Sequence, residues 1–421
     1  MLAERVFFMN NIHHAEVHDF ISDLMKKVRT EPMGLFDYPM LTTTAGKYYS
    51  AAVFTWDTHH MTLRYAMNGE AEFMKYFLLT MLKFQRSNGF VSCTCNSVDG
   101  AVHTRGFHAQ PYLAQNAAIY LNATGDTETV SAIYDKLEKY LAFWESSSSS
   151  PYGLYRWGEA WMSGFDNEIT GTIFPTGSII SPDLPALLYL EYRAMGFIAR
   201  KLGLDDSAFE KRALEIKNAV NEYLWSEDMQ TYSAFNLLNN KVVTSFDDQH
   251  LGGEVGKYSF ISCPSLLVLF AGIATPERAK KMIEKYVLAP EHFRSRFGIR
   301  SLSKSSEYCN NARWGNPPRF GEWSRLTNSN WQGPVWIPLN WFVMHALLRY
   351  GYKNEAERLA DDTVELVYKS IQSLGFMREN FDSETGEGLY ADNFASWNIL
   401  TDKFHLYLED KGLPIFPWEN E

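Results

Sequence analysis

Apolar residues recur at spacings of three and four along most of the chain, and almost no stretch alternates strictly between apolar and polar positions. A period near 3.6 is typical of helices that bury one face, whereas strict alternation is typical of half-buried strands. The pattern therefore predicts a mostly helical protein with about twelve helices, each boundary within ~2–4 residues. The predicted helices cover residues 15–29, 57–68, 70–86, 110–122, 127–146, 183–202, 206–225, 264–272, 276–287, 332–350, 354–373 and 394–408.

The connections between these helices differ in length in a regular way. Short turns at residues 68–70, 123–126, 203–205, 274–276 and 351–353 join one helix to the next, and such turns pack consecutive helices as hairpins. Long loops lead into the helices that begin near residues 57, 110, 183, 264, 332 and 394. Six hairpins with all long loops at one rim predict an all-α (α/α)6 toroid, with an inner helix ring around a pit and an outer ring.

The same alternation predicts a single (α/α)6 domain over residues 1–421. A second domain would interrupt the alternation, and no linker rich in Pro, Gly and Ser lies where it could do so. The serine run at 146–150 falls between two predicted hairpins, and we interpret it as a loop.

Composition narrows the class of ligand. Hydrophobic residues make up 46% of the chain and aromatic residues 15%, with 12 Trp and 23 Tyr, enough for a large core and additional rings around a pocket. A net charge of −11 argues against a nucleic-acid surface, which would carry clustered Lys and Arg. A small or neutral ligand is more consistent with this negative net charge.

The chain also lacks the signals of secretion, membrane insertion and metal binding. No basic and apolar leader opens it, and no segment approaches ~18 uninterrupted apolar residues, so we expect a cytoplasmic protein without a membrane partner. Cys93, Cys95, Cys263 and Cys309 have no zinc-finger spacing, and reduced thiols are expected. No phosphate loop, G-x-S-x-G elbow or H-E-x-x-H motif occurs, and no cofactor or metal is expected.

Two carboxylates in aromatic surroundings suggest a reaction. Asp166 follows Trp161, Gly164 and Phe165, and Glu379 precedes a turn-rich stretch and lies upstream of Trp397. Cleavage of an acetal needs one carboxyl that donates a proton and a second that activates the nucleophile, so the pair is the minimum equipment of a glycoside hydrolase. Rings around Asp166 would desolvate it and raise its pKa, as a general acid requires. Each residue also has a structural interpretation, Asp166 as a turn cap and Glu379 as a solvated charge.

Further aromatic and polar residues at the starts of predicted inner helices could line a sugar site. Trp56 and Asp57 open the second helix, where a ring can form the floor of a subsite and a carboxylate can accept two hydroxyl hydrogen bonds. The alternative for Asp57 is a helix cap. The stretch from Asn330 to Trp336 similarly brings together Trp331, Gln332, Gly333 and Trp336.

Other titratable residues are weaker candidates for binding a metal ion or a substrate. The pairs His13-His14 and His59-His60 point about 100° apart on a helix and have no convergent third group, so core or surface positions are expected. Asp382, Glu384 and Glu387 suggest a calcium loop but lack the EF-hand glycine and terminal Glu positions. The basic connection 288–331 could pair with surface acids or hold an anionic substrate group; its cations are Arg294, Arg296, Arg300, Lys304, Arg313, Arg319 and Arg325.

Taken in order, seven motifs resemble glycoside hydrolase family 63, and more closely its short bacterial-type members grouped with mannosylglycerate and glucosylglycerate hydrolases. The motifs are Phe54-Thr55-Trp56-Asp57, His108-Ala109-Gln110-Pro111, Gly164-Phe165-Asp166-Asn167, Ser181-Pro182-Asp183-Leu184, the stretch 297–303, Trp331-Gln332-Gly333-Pro334-Val335-Trp336, and Glu379-Asn380-Phe381-Asp382 through Ser396-Trp397.

The resemblance implies an inverting α-glycosidase on an (α/α)6 barrel, with Asp166 at the position of the general acid and Glu379 at that of the general base. It also implies that Trp56, Asp57 and Gln110 line the sugar subsite, and we add His108, Trp161, Trp331, Gln332, Gly333, Trp336 and Trp397 as candidate substrate contacts. Two departures concern the substrate: Gln332 stands where many members have Arg, and Glu168-Ile169-Thr170 replaces a common Ser-Pro-Arg.

The sequence therefore predicts a metal-independent hydrolase of a small α-glucoside or α-mannoside, with glycosylglycerates among the candidate substrates. Alternatives are an α-glucosidase or trehalase-like enzyme for neutral oligosaccharides, a sugar epimerase on the same toroid, and a non-catalytic carbohydrate-binding protein. An epimerase would need paired histidines that face the pit. A binding protein would keep the tryptophans and lose a carboxylate.

Overall fold

The computed structural model describes residues 2–50, 52–101, 107–243, 245–247, 257–315 and 329–420. Within these ranges the chain forms thirteen α-helices. They are α1 (Leu2–Lys27), α2 (Thr55–Ala66), α3 (Glu72–Lys83), α4 (Leu113–Thr124), α5 (Thr127–Ser148), α6 (Ile169–Ile173), α7 (Asp183–Lys201), α8 (Ser207–Tyr223), α9 (Pro264–Phe270), α10 (Pro276–Met282), α11 (Ile337–Arg349), α12 (Lys353–Leu374) and α13 (Phe404–Leu408). Shorter 3₁₀ turns cover Ala160–Ser163, Ser396–Lys403 and Pro417–Glu419, and a π turn covers Ile283–Val287.

The predicted toroid is confirmed. The inner ring consists of α2, α4, α7, α9, α11 and the segment Ser396–Lys403 with α13, and neighbours in this order pack together. The last segment packs back against α2 and so closes the ring. The outer helices α1, α3, α5, α8, α10 and α12 alternate with the inner ones along the chain.

Burial separates the two rings. Every residue of α4 from Leu113 to Leu121 is buried, and so is every residue of α11 from Ile337 to Leu347. In the outer helix α12, burial recurs at Ala356, Leu359, Ala360 and Thr363 and leaves the opposite face to solvent. A helix that is apolar all round belongs inside a protein, whereas an amphipathic one covers the outside.

Short antiparallel strands of two or three residues lie in the long loops. Two of the described pairings join different loops, Val53–Phe54 with Thr94–Asn96 and Ile179–Ile180 with Phe235–Asn236. The strands are too short to show an alternating pattern in the sequence. Their bounds are Arg29–Thr30, Met40–Leu41, Val53–Phe54, Thr94–Asn96, Gly100–Ala101, Ile179–Ile180, Trp225–Ser226, Thr231–Tyr232, Phe235–Asn236, Lys241–Val242, Ser245–Asp247, Lys257–Ser259, Arg294–Ser295, Gly298–Ile299, Asn380–Phe381 and Gly388–Leu389.

Several helix boundaries differ from the prediction for local reasons. Helix α4 begins after Pro111, and α11 begins after Gly333 and Pro334, so the residues just before both helices belong to the rim. Helix α5 continues to Ser148 and takes in most of the serine run, which the sequence analysis wrongly assigned to a loop. None of the described helices is long and apolar enough to cross a membrane.

Candidate active site

The long loops meet above the inner ring around a cavity of about 350 Å³. Eight of the site residues proposed from the sequence line this cavity, namely Trp56, Asp57, Gln110, Trp161, Asp166, Trp331, Glu379 and Trp397. The remaining described lining residues are Tyr49, Phe54, Cys93, Thr94, Phe107, Gly164, Ser329 and Phe394. Residues that lie more than 300 positions apart in the chain therefore share one pit.

Asp166 lies on the loop that follows the 3₁₀ turn Ala160–Ser163. Ser329 Oγ donates a hydrogen bond of 2.8 Å to Asp166 Oδ2. The loop passes directly over Trp56 at Gly164, where φ is +85° and an added Cβ would lie 1.9 Å from the indole ring. Only glycine fits both the conformation and the close approach.

Asn167 joins the Asp166 loop to the segment 329–332. Its side chain is fully buried; Nδ2 donates to Asn330 Oδ1 at 3.2 Å, and Oδ1 accepts the backbone N–H of Trp331 at 2.5 Å. Its carbonyl oxygen accepts Gln332 Nε2 at 2.8 Å. These three contacts and the Ser329 bond position Asp166 from one side of the cavity.

Glu379 approaches from the hairpin formed by Asn380–Phe381 and Gly388–Leu389. Its backbone N–H donates to Ala391 O at 3.0 Å, while its carboxyl is buried and Oε2 has no hydrogen-bond partner in the part of the chain that the structure describes. Burial, then the nearby charges of Asp166 and Asp57, raise the pKa of Glu379 well above its ordinary value. Three carboxyls in one pit disfavour simultaneous ionisation.

Asp57 lies in the first turn of α2, and Ser396 Oγ donates to its Oδ1 at 2.7 Å. Burial raises the pKa of Asp57 to about 6, against the opposing effect of hydrogen bonds from Ser396 and Thr43. The N-cap position belongs to Phe54, and no side chain caps this helix. The alternative of a capping Asp57 is therefore wrong.

Four lining residues carry a buried polar atom without a hydrogen-bond partner among the described residues. These atoms are Trp56 Nε1, Gln110 Oε1, Glu379 Oε2 and Trp397 Nε1. The amide of Gln110 is held by its other end, since Nε2 donates to Met162 O at 3.1 Å. Buried polar groups normally have partners, so a cavity with two such donors and two such acceptors suits a ligand rich in hydroxyl groups.

His108, Gln332, Gly333 and Trp336 do not belong to the described cavity lining. His108 packs among Tyr140, Phe143 and Trp144, and burial lowers its pKa to about 3. Trp336 lies behind Trp331, with ring centroids 3.8 Å apart. The backbone N–H of Gly333 donates to Ser301 Oγ at 2.9 Å. The structure thus shows contacts of these four residues within the protein and outside the described lining, and their direct contact with a substrate stays a prediction.

The two departures from the family pattern also fall on contacts within the wall. Gln332 holds the carbonyl of Asn167, as described above. Glu168 caps the short helix α6 by accepting Gly171 N at 3.0 Å and Thr170 Oγ1 at 2.6 Å, and its other oxygen accepts Ser262 Oγ.

Tyr49 is the main lining residue that the sequence analysis missed. Burial and the nearby Glu379, Tyr390 and Asp166 raise the pKa of its hydroxyl, which forms a hydrogen bond with Tyr390. It has φ of +55° and lies eight residues before Asp57, just outside the motif Phe54-Thr55-Trp56-Asp57. No periodicity or motif distinguishes it. Phe54 and Phe394, by contrast, lie within three residues of predicted site residues, Trp56 and Trp397.

The basic connection contributes no cation to the described cavity lining. Arg294 pairs with Asp362, and Arg300 and Lys304 both pair with Glu384. Arg296 lies over the Phe297 ring, and Arg313 is exposed. Arg319 and Arg325 lie outside the described residues.

The suspected calcium loop and histidine pairs have other partners. Asp382 Oδ1 accepts the backbone N–H groups of Glu384 and Thr385, as a turn residue does. His59 and His60 are buried residues of α2, and burial lowers the pKa of His60 to about 4. The described lining contains no histidine.

A family model described as "Mannosylglycerate hydrolase MGH1-like glycoside hydrolase domain" matches residues 51–397. The mannosylglycerate hydrolase of Rubrobacter radiotolerans is 30% identical over 216 residues, which is 50% of this chain and 40% of that protein. The mannosyl-oligosaccharide glucosidase of Saccharomyces cerevisiae is 24% identical over 54% of this chain and 26% of its own length. The chain thus spans less than half the length of these curated relatives.

Solved structures agree on the fold. The GH63 mannosylglycerate hydrolase from Thermus thermophilus, in complex with glucose, superposes with a TM-score of 0.68 at 18% identity, covering 92% of this chain and 99% of that one. The neutral trehalase of Saccharomyces cerevisiae superposes with a TM-score of 0.65 at 14% identity, covering 90% of this chain and 76% of the trehalase.

Proposed function

The chain belongs to the family of mannosylglycerate hydrolase MGH1-like glycoside hydrolases, within glycoside hydrolase family 63, and from this premise we propose that it hydrolyses a small α-glucoside or α-mannoside with inversion. Asp166 acts as the general acid and Glu379 as the general base. The observation that carries the proposal is the joint position of these two carboxyls on one cavity with ring walls and unpartnered polar atoms.

In the proposed mechanism the two proton transfers involve residues on different loops of the cavity. Asp166, held by Ser329, donates its proton to the glycosidic oxygen as the bond to the anomeric carbon breaks. Glu379 takes a proton from the water that attacks the opposite face of the sugar. Its Oε2, unpartnered among the described residues, can accept the hydrogen bond from that water. Trp56, Asp57, Gln110, Trp331 and Trp397 hold the sugar.

Removal of either carboxyl should stop turnover and leave the fold intact. We expect Asp166→Asn and Glu379→Gln each to lower kcat by ~100–10,000-fold, the usual contribution of a positioned proton transfer. Glu384→Gln is the matched control, because Glu384 lies on the same loop as Glu379 and pairs with Arg300 and Lys304 away from the cavity. Near wild-type turnover in a folded Asp166→Asn or Glu379→Gln variant contradicts that residue's role.

The stereochemical course tests the mechanism separately. If Glu379 activates water, an α-linked substrate first releases the β-anomer, and its carboxyl stands ~6.5–9.5 Å from that of Asp166. Proton NMR during the first minutes of the reaction distinguishes the anomers before mutarotation mixes them. Initial release of the α-anomer would make Glu379 a covalent nucleophile, which needs a separation of only ~5–5.5 Å.

The sugar and the aglycone are best identified with a panel. Mannosylglycerate, glucosylglycerate, the matching glycosylglycerols and α-linked disaccharides should be compared by the monosaccharide that each releases. The basic composition of the connection 288–331 favours an acidic aglycone, since guanidinium pairs with carboxylate. Equal kcat/KM for glycosylglycerate and glycosylglycerol contradicts that preference.

We further assign the protein to the cytoplasm and to a single catalytic domain. All four cysteines are free, as expected of thiols in a reducing compartment.

A further inference from the structure

Three aromatic rings stand at the rim outside the cavity lining. Trp314 and Tyr48 leave 40% and 44% of their surfaces exposed. Trp314 packs edge-on against Tyr390, with centroids 4.6 Å apart at 81°, and Tyr48 lies on another side of Tyr390 at 5.7 Å. We call Trp314, Tyr48 and Tyr390 the rim platform.

The rim platform is continuous with the cavity. The ring of Tyr390 lies 6.5 Å from that of Tyr49, a cavity-lining residue. The next residue, Ala391, accepts the backbone N–H of Glu379. Tyr390 also has φ of +57°, which lies in the left-handed region of backbone conformation. Bulky residues other than glycine rarely adopt this conformation. Strained residues of this kind cluster at functional sites.

Backbone contacts fix two of the three platform residues, Tyr48 and Tyr390. The loop that carries Tyr48 pairs with the loop after Tyr390 through the bridge between Thr44 and Phe394 and through Ala45 N, which donates to Asn393 O at 3.1 Å. Arg378 Nη1 donates to the carbonyl of Tyr390 at 2.7 Å. Trp314 and Tyr48 are therefore exposed rings that pack on a buried, fixed Tyr390, and such rings can make contact with a ligand.

We propose that the rim platform is a subsite for a pyranose ring of the leaving group, so that the substrate is an α-linked disaccharide or a longer oligosaccharide. This inference rests on the proposed glycosidase function. An aromatic ring offers a flat apolar face to the C–H groups of a sugar ring. A glycerate or glycerol aglycone has no ring that could cover Trp314.

The difference in burial supports this direction. Glu379, Trp56 and Trp331 are buried, whereas Trp314 and Tyr48 are exposed. We therefore place the sugar that is cleaved off at the buried carboxyl and the leaving group at the rim platform.

The test compares two substrates that share the sugar and differ in the leaving group, an α-linked disaccharide and the methyl α-glycoside. Trp314→Ala should lower kcat/KM for the disaccharide by ~3- to 10-fold more than for the methyl glycoside, the range expected when one ring contact is lost. Trp314→Phe keeps a ring, so its ratio of kcat/KM for the disaccharide to kcat/KM for the methyl glycoside should be close to that of the wild type. Leu214→Ala is the control, because Leu214 is 57% exposed on the outer helix α8, and its ratio should equal that of the wild type.

Each other outcome overturns the platform. The platform is contradicted if Trp314→Ala leaves the ratio of kcat/KM for the disaccharide to kcat/KM for the methyl glycoside unchanged, whether or not both values fall. It is also contradicted if the wild-type enzyme cleaves the methyl glycoside but no disaccharide. Those results leave the glycosidase function in place. A wild-type protein that releases no monosaccharide from any α-glycoside contradicts the proposed function itself.

Discussion

At the scale of single residues, the pit concentrates acidic groups that its own walls desolvate. Burial raises the pKa of Glu379, and the negative charges of Asp166 and Asp57 raise it further. A general base must be ionised, so the raised pKa shifts activity toward higher pH.

Neutralising Asp57 should therefore move the pH profile. Asp57→Asn removes one of the charges that hold up the pKa of Glu379, so the acidic limb of kcat/KM should shift to lower pH, even though loss of sugar contacts lowers the whole curve. The limb is measured by initial rates across pH, and its midpoint does not depend on the height of the curve. Glu384→Gln should keep the wild-type limb; an unmoved limb in Asp57→Asn refutes the electrostatic coupling.

At the scale of elements, loops and not helices hold the reacting groups, and Asn167 connects two of these loops. Asn167→Ala removes the acceptor for Trp331 N and the donor to Asn330. We expect a loss of ~1–3 kcal/mol in unfolding free energy from the unsatisfied buried groups. We also expect kcat to fall ~10–100-fold with little change in KM, because a displaced Asp166 affects the transition state most.

A cap far from the pit provides the control for that prediction. Asp126 is the N-cap of α5, and its side chain accepts Thr129 N at 3.0 Å. Asp126→Ala should cost ~0.5–2 kcal/mol in stability and leave kcat per folded molecule unchanged. Thermal melts beside kinetics compare the two variants. If Asn167→Ala loses stability alone, as Asp126→Ala does, then Asn167 does not position the acid.

At the scale of the whole molecule, the ring is closed by a buried ion pair between its first and last inner segments. Arg64 of α2 donates to both carboxylate oxygens of Asp402, at 2.7 and 2.6 Å, and both side chains are fully buried. His18 of α1 bonds the same carboxylate at 2.6 Å. The contact joins residues 338 positions apart, so it forms only when the toroid closes.

Breaking this pair should destabilise the molecule as a unit. Asp402→Ala leaves a buried guanidinium without its partner, and we expect ~3–5 kcal/mol of lost stability with one cooperative unfolding transition. The double variant Arg64→Ala, Asp402→Ala should recover part of the loss, which a double-mutant cycle measures. A separate early transition in the melt would contradict the single-domain proposal.

The sequence by itself determined the helices, their inner and outer order and the rim that carries the chemistry. Those features follow from local spacing: a 3.6-residue period for each helix, short turns for each hairpin, and carboxylates beside rings in the long loops. The family motifs then identified Asp166, Glu379, Trp56, Asp57 and Gln110, all of which line the cavity. The helix starts at residues 110 and 332 were set too early, because Pro111, Gly333 and Pro334 act on the backbone and leave the apolar pattern unchanged.

Only the tertiary structure decided which motif residues face the pit. His108 and Gln110 are two positions apart, yet one lies in the core and the other on the cavity; Trp331 and Trp336 stack face to face, and only Trp331 reaches the void. Tyr49, Tyr390 and Trp314 come from three separate loops and carry no shared signal. Their positions depend on how distant loops pack against one another, and no local spacing records such contacts.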